Sequence, residues 1–375
     1  MAAVEIAEVA SSSQLKKFIT YPNQLYKGDP NYVTPLISER LEFFDKQKNP
    51  FFQTATTKEY LARRDGKIVG RIGTCVNYAH NQNYLEKVGF FGFLDLIDDY
   101  DVLAMMMRVA MINLKKAGME KLRGPVSYST NHECGALIEG FDSPPRIMMP
   151  YNKPYLPPLL EKFGFKKAMD LYAYRINQSM PIPERITEIT DKLLERAGAA
   201  IRHMKMSRFD DEVEKLHQIY NAAWEENWGF VPMTKEEFFY LSKNLKQIVD
   251  PKVALILEVD KKPIGFLLAL PDINQALIKL EGKLFPLGLI KLLWNTKVRN
   301  KIDCLRVITM GIIPEYHGKG LDMVLYSKIY HEGLKAGYSW AEMSWVLESN
   351  QLMNSAIKRM GAELYKKYRI FEMSI

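Results

Sequence analysis

The stretch Ile308-Thr-Met-Gly-Ile-Ile-Pro-Glu-Tyr-His-Gly-Lys-Gly-Leu-Asp322 decides the fold. An apolar strand runs to Pro314, and a glycine turn follows at Gly318-Lys319-Gly320. A helix then begins at once, with apolar residues at Leu321, Val324, Leu325 and Ile329, and it ends near Gly337. Strand, glycine turn and helix N-terminus together make an anion site. Free backbone N–H groups and the positive end of the helix dipole converge there, and glycine lets a phosphate reach the main chain. A Gly-x-Gly turn before a helix is as often a plain turn, so the rest of the chain has to decide between the two readings.

Composition narrows the field. A chain of 375 residues, 47% hydrophobic and 25% charged, has the profile of a folded protein of two or three domains. The formal net charge of +7 suits anionic partners such as nucleotide phosphates or acidic lipid surfaces. Its Lys and Arg residues are nowhere dense enough to favour nucleic acid, and no nucleic-acid-binding signature occurs. Cys75, Cys134 and Cys304 are odd in number and far apart, which argues for a reducing compartment and against a zinc cluster. Neither a signal peptide nor an apolar run of about 18 residues is evident, so the expected location is cytoplasmic.

The chain is written twice. Ile6 and Ile201, each opening a strand followed by a helix, stand 195 positions apart, as do the turns at Asp65 and Asp260 and the glycines Gly70 and Gly265. Asn31-Tyr32 answers Asn227-Trp228 one position later. The offset then becomes 219 for Lys116-Ala117-Gly118 with Lys335-Ala336-Gly337 and for Asn131 with Asn350. It returns to 197 for Phe163-Gly164 with Met360-Gly361. Two compensating jumps mean an insert after the third strand of the second copy and a counter-insert after Asn131 in the first. Each copy reads as strand, helix, two hairpin strands, strand, helix, strand, helix and closing strands, an α/β order with a mixed sheet. Prolines at Pro181 and Pro183 mark the boundary, giving residues 1–180, a linker helix within 181–199, and residues 200–375.

The second copy resembles the GNAT acyl-CoA N-acyltransferase superfamily along residues 200–375, and the repeat makes the whole a tandem of two GNAT-like mixed-sheet domains from an internal duplication. The resemblance rests on the strand Met310-Gly-Ile312-Ile313-Pro314 and on His317-Gly318-Lys319-Gly320-Leu321-Asp322, set against the family motif Arg/Gln-x-x-Gly-x-Gly/Ala. It implies acyl-CoA or acetyl-CoA as co-substrate, with the pyrophosphate on the main chain from His317 through Leu321. It also implies an oxyanion site made by the amides of Ile312 and Ile313, and a pantetheine contact at Asn350. The chain departs from the pattern at His317, at Asp322, and at Ile357, where the family places an acidic tyrosine; Tyr365 and Tyr368 are the nearby substitutes. Glu342 and Glu348 are candidate bases for the attacking amine, against the alternative of ordinary solvated or ion-paired carboxylates.

The offset maps positions 317–322 onto Asp98-Asp99-Tyr100-Asp101-Val102-Leu103, where acids suit a helix cap and repel a pyrophosphate. The first copy is therefore expected to have lost CoA binding. Its counter-insert gathers His132, Glu133 and Cys134 among turn residues. His132 and Glu133 are candidate acid/base groups, and the alternative is a turn network held by Asn and Asp side chains; Cys134 reads as a buried thiol. In the second copy's insert, residues 284–301 join a Trp-bearing apolar run to Lys291, Lys297, Arg299 and Lys301. That composition suits either peripheral membrane contact or docking on its own domain. Bacterial ceramide synthases are GNAT-like and of similar size, which makes a lipid-like amine one expected acceptor. Trp224 and Trp228 read as packing or acceptor-site lining, and the sequence leaves the oligomeric state open. Two readings compete with acyl transfer from CoA: a non-catalytic tandem that binds a ligand or partner, and a transferase using an aminoacyl-tRNA donor.

Overall fold

The computed structural model describes residues 2–280 and 302–375. The basic segment 284–301 lies outside these. The described residues form two compact units, each completed by a piece of the other half of the chain. The first holds residues 2–171, 276–280 and 366–375; the second holds 172–275 and 302–365.

In the first unit, β1 (Glu5–Glu8), α1 (Ser12–Leu25) and α2 (Ile37–Phe43) precede the hairpin β2 (Ala55–Arg64) and β3 (Lys67–Asn77). There follow α3 (Tyr78–Tyr84), β4 (Val88–Leu96), α4 (Tyr100–Lys116), β5 (Lys121–Gly124), β6 (Ala136–Glu139), α5 (Leu156–Phe163) and the start of β7 (Lys166–Asn177), which ends in the second unit. The second unit repeats the order after α6 (Glu184–Ala197): β8 (Ala199–His203), α7 (Phe209–Trp224), α8 (Lys235–Leu245), β9 (Ala254–Val259), β10 (Lys262–Pro271) and α9 (Asn274–Leu277). It continues with β11 (Cys304–Ile312), α10 (Leu321–Ala336), β12 (Trp340–Leu347), α11 (Gln351–Arg359) and the start of β13 (Glu363–Ser374).

Strand order confirms the duplication. The first unit runs β1-β2-β3-β4-β5 and then β13, with β6 also on β13; the second runs β8-β9-β10-β11-β12 and then β7. In each, the fourth and fifth strands are parallel and the hairpins antiparallel. The hairpin turns match in backbone angle as well as position. Asp65 and Gly66 have φ of 50° and 74°, and Asp260 and Lys261 have 49° and 61°. Positive φ at both central residues is the two-residue turn that suits the twist of a hairpin, and Asp tolerates it. Gly118 and Gly337 close the two equivalent helices at positive φ.

The closing strands are exchanged. Phe371–Ser374 of β13 pair with Lys121–Gly124, and Lys367–Arg369 pair with the region Ala136–Glu139, all in the first unit. Phe371 is fully buried in that unit's core with Phe91, Leu122 and Phe165. The buried Lys366 donates to the carbonyls of Gly140 at 2.8 Å and Ser143 at 2.7 Å, which anchors the counter-insert. The second unit's core gathers Tyr174, Leu267, Val307, Leu325 and Ile357.

Candidate functional site

In the second unit β11 and β12 start as neighbours and then part. Their pairing covers Cys304–Val307 against Trp340–Met343 only, although β11 runs on to Ile312 and β12 to Leu347. β11 stays on β10 through Gly265 opposite Ile312, with one extra residue, Ile308, bulged out where the partner strand leaves. A wedge-shaped gap opens there. The Ile313 amide donates to Ile264 at 2.9 Å, so that residue faces β10. Alternation then turns the backbone groups of Met310 and Ile312 into the gap. The backbone groups of Ile312 therefore face the gap, whereas the amide of Ile313 points the other way.

Two side chains already meet the gap-facing carbonyls. Trp224 Nε1 donates to Met310 O at 3.0 Å, and His317 Nε2 donates to Ile312 O at 2.7 Å. The His317 ring is therefore held on the strand. Gly318 and Gly320 both have φ of 73°, the left-handed region that glycine enters without strain. Gly320 is the N-cap of α10 and supplies no side-chain cap. The first turn of α10 consequently offers uncapped N–H groups. A Cβ on Gly318 would meet nothing within 4 Å, and one on Gly320 would lie 3.0 Å from Leu193 Cδ1 of α6. Lys319 Nζ stands 4.3 Å from the centre of the Tyr316 ring. Asp322 occupies the first turn of the helix, and Leu321 is buried in the core.

Beside the wedge, Glu342 has no solvent exposure and lies in a polar cluster. Ser344 Oγ and the Tyr365 hydroxyl both donate to its carboxylate. Arg306 Nε is 2.8 Å from Ser344 Oγ and 4.0 Å from Glu342 Oε1, and its second nitrogen reaches Ser344 O at 3.0 Å. A buried charge needs such partners. The structure thus brings Glu342 together with Tyr365, while Ile357 is a fully buried core residue and Tyr368 belongs to the first unit. Glu348 sits in the turn after β12, its carbonyl 3.4 Å from Asn354 Nδ2. Asn350 caps α11 by accepting from the Met353 amide at 3.1 Å.

The first unit has the same wedge, filled. Pairing of β4 with β5 stops at Phe90 and Arg123, and an extra residue again bulges from β4, where Phe93 has φ of 47°. The chain after β5 then lies on β4: Val126 donates to Phe91 O at 2.7 Å, and a Cβ on Gly92 would collide with the Val126 carbonyl. At the helix start Asp99 accepts from the amides of Asp101 at 2.9 Å and Val102 at 3.1 Å. The Arg64 guanidinium, 2.6 Å away, holds the Asp99 carboxyl below its usual range. A carboxylate thus caps this helix start. Matching the caps aligns Asp99 with Gly320, two positions off the constant offset.

His132 and Glu133 lie beside this filled wedge. The half-buried His132 ring stands edge-on to Phe43 at 5.1 Å and Phe51 at 5.3 Å. Its Nδ1 donates to Ser127 O at 3.1 Å, and burial pushes its pKa down to about 4. It is a neutral imidazole at pH 7. Glu133 pairs with Arg40, and Tyr128 donates to the buried Glu59. Cys134 is buried. Among the described residues no helix is long and apolar enough to cross a membrane.

No family model matches the chain. It is 37% identical to protein YghO of Escherichia coli over 370 residues, which is 97% of this chain and 94% of that one. It is 35% identical to a bacterial ceramide synthase of Caulobacter vibrioides over 382 residues, 100% of this chain and 98% of that one. A solved tandem GNAT protein from the clavulanic acid biosynthesis pathway superposes over 99% of this chain and 98% of its own, with a TM-score of 0.58 and 10% identity. A GCN5-related N-acetyltransferase from Sphaerobacter thermophilus covers 99% of this chain and 95% of its own at a TM-score of 0.52 and 11% identity. These structures share the fold.

Proposed function

We propose that this chain, which belongs to the family of GNAT-fold proteins containing YghO and the Caulobacter ceramide synthase, is an acyl-CoA-dependent N-acyltransferase whose second unit carries the reaction. The observation that carries this reading is the contrast between two equivalent helix starts. Gly320 leaves the first turn of α10 uncapped beside an open wedge, and Asp99 closes its counterpart beside a filled one. An uncapped N-terminus behind glycines of positive φ is suited to a pyrophosphate. The main chain of Gly318-Lys319-Gly320 and the first turn of α10 would hold the CoA phosphates, and CoA would supply the thioester.

The remaining work falls to this chain's own groups. Gap-facing amides of Met310 and Ile312 are suited to the oxyanion that forms when an amine adds to the thioester carbonyl. The C–N bond forms and the C–S bond breaks, so nitrogen loses a proton and sulfur gains one. We assign that transfer to Tyr365, whose hydroxyl gives a proton to sulfur and recovers one from nitrogen, with Glu342 fixing its direction. Glu348, His132 and Glu133 receive no step in this scheme. The relative's name supports a lipid-like amine as acceptor.

Calorimetry with CoA tests the reading. The native protein should bind CoA, and Gly318→Asp should weaken binding about tenfold by placing a charge worth roughly 1.4 kcal/mol in the anion site. Gly318→Asn, which tolerates the same backbone angle, should stay within a fewfold of native. Absence of CoA binding at millimolar concentration would overturn the proposal. The composition of residues 284–301 supports peripheral contact with anionic lipid. Flotation with phosphatidylglycerol vesicles should fall in the Leu289→Asp/Trp294→Asp variant, and equal flotation would end that part of the reading.

A further inference from the structure

Thr309 lies on the stretch of β11 that has left β12, two positions beyond the last paired residue, Val307. Register fixes its face of the sheet, because residues opposite one another project to the same side. Thr309 stands opposite Leu268 and Gly311 opposite Phe266, and both partners belong to the cluster packed with α7. A Cβ on Gly311 would lie 2.9 Å from Ala223 Cβ and 3.3 Å from Trp224 Nε1, both on α7. Leu267, Ala269 and Val307 alternate to the other face, where Leu321 and Leu325 of α10 pack. α10 and Thr309 therefore lie on opposite faces of the sheet, with the wedge opening through it. Arg306 stands opposite Glu342 on β12 and Leu270 on β10, which puts the cluster of Glu342, Ser344 and Tyr365 on the Thr309 face.

Thr309 Oγ1 is shut off from solvent and has no hydrogen-bond partner among the described residues. Buried hydroxyls in folded proteins nearly always have one, because an unmet hydroxyl keeps its full desolvation cost. The nearby indole cannot serve, since Trp224 Nε1 is already directed at Met310 O. We infer that Thr309 binds the acceptor, its Oγ1 accepting a hydrogen bond from the attacking amine; this rests on the acyl-transfer reading. With the CoA phosphates at α10, the amine has the α7 face left to approach from. A thioester carbonyl on the Met310 amide lies one residue along the strand from Thr309. A primary amine that attacks with its lone pair presents two N–H groups. One proton is lost to Tyr365, and the other needs an acceptor in a space closed to water. Thr309 Oγ1 is that acceptor, and holding this N–H turns the nitrogen lone pair toward the carbonyl carbon. Thr309 itself forms and breaks no covalent bond.

The test measures acyl transfer from palmitoyl-CoA to dodecylamine, with the amine concentration varied, alongside thermal unfolding of the unliganded protein. Thr309→Val keeps the shape of the side chain and removes the hydroxyl. It should lower kcat/KM for dodecylamine about tenfold, the upper end for one hydrogen bond, and leave the KM for palmitoyl-CoA unchanged. The melting temperature should stay the same or rise, because no partner within the fold is lost. Thr309→Ser keeps the hydroxyl and should retain most of the native kcat/KM. Thr309→Ala carries the test if the valine crowds its neighbours. A lower melting temperature for Thr309→Val would mean that the hydroxyl serves the fold. A kcat/KM for dodecylamine within about twofold of native would leave the hydroxyl to a bound water. Either result overturns the assignment, while transfer by the native protein keeps the acyl-transfer reading standing. No transfer to dodecylamine by the native protein would remove the assignment, and no binding of CoA would remove that reading as well.

Discussion

Tyr365 reaches Glu342 from the last strand of the chain, although the family's acidic tyrosine is expected before it at position 357, where Ile357 is buried in the core. The chemistry needs a hydroxyl near the wedge, held in direction by an acceptor, and sequence distance places no demand on which element brings it. Glu342 is also a structural residue, tied to Arg306 and Ser344, so its replacement would unpair a buried cation and confuse loss of fold with loss of chemistry. Tyr365 allows a cleaner experiment. Tyr365→Phe keeps the ring and removes only the proton donor. It should lower kcat about a hundredfold, within the range for a lost general acid, and leave the KM for acyl-CoA and the affinity for CoA unchanged. A fall in kcat of less than threefold would assign proton transfer elsewhere. Glu348 would be the next residue to change.

At the scale of elements, the readable parts were those written locally. The strand into Pro314, the glycine turn and the α10 face are marked by residue type and helical spacing, and β11 and α10 follow them. The duplication was legible because equivalent turns need equivalent residues, as at Asp65 and Asp260. The capped helix start of the first copy was legible too, since an aspartate at a helix start serves as a cap. What fills the first wedge was not. The contact of Val126 with Phe91 crosses a stretch whose composition says only that it turns, and the need for glycine at Gly92 comes from a main chain distant in sequence. The motif position of His317 implies a main-chain phosphate contact but says nothing of its ring, which turns back to Ile312. Bulges such as that at Ile308 leave no local signal, because they depend on the partner strand's register. Tyr365 could be named as a substitute but its acceptor could not, because Glu342 and Tyr365 meet only through strand order.

For the whole molecule, the exchanged closing strands mean that neither half of the sequence is a complete unit. Residues 366–375 supply the first unit with a strand that pairs with both β5 and β6, the buried Phe371 and the Lys366 anchor of the counter-insert. Cutting the chain at the duplication boundary would therefore remove core from the N-terminal piece, and a fragment of residues 1–180 would lack the partner that Lys121–Gly124 pair with. The same logic applies to a single side chain. Phe371→Ala should cost about 3–5 kcal/mol, the range for deleting a buried aromatic. Its effect should fall on a region nearly 250 positions earlier in the sequence (Phe371 pairs with Gly124). Hydrogen exchange read by mass spectrometry should show faster exchange in β4, β5 and β6, while β9 and β10, whose core does not contain Phe371, keep native protection. Loss of protection confined to residues 254–271 would contradict this assignment of the closing strand, since that hairpin pairs with β8 and β11.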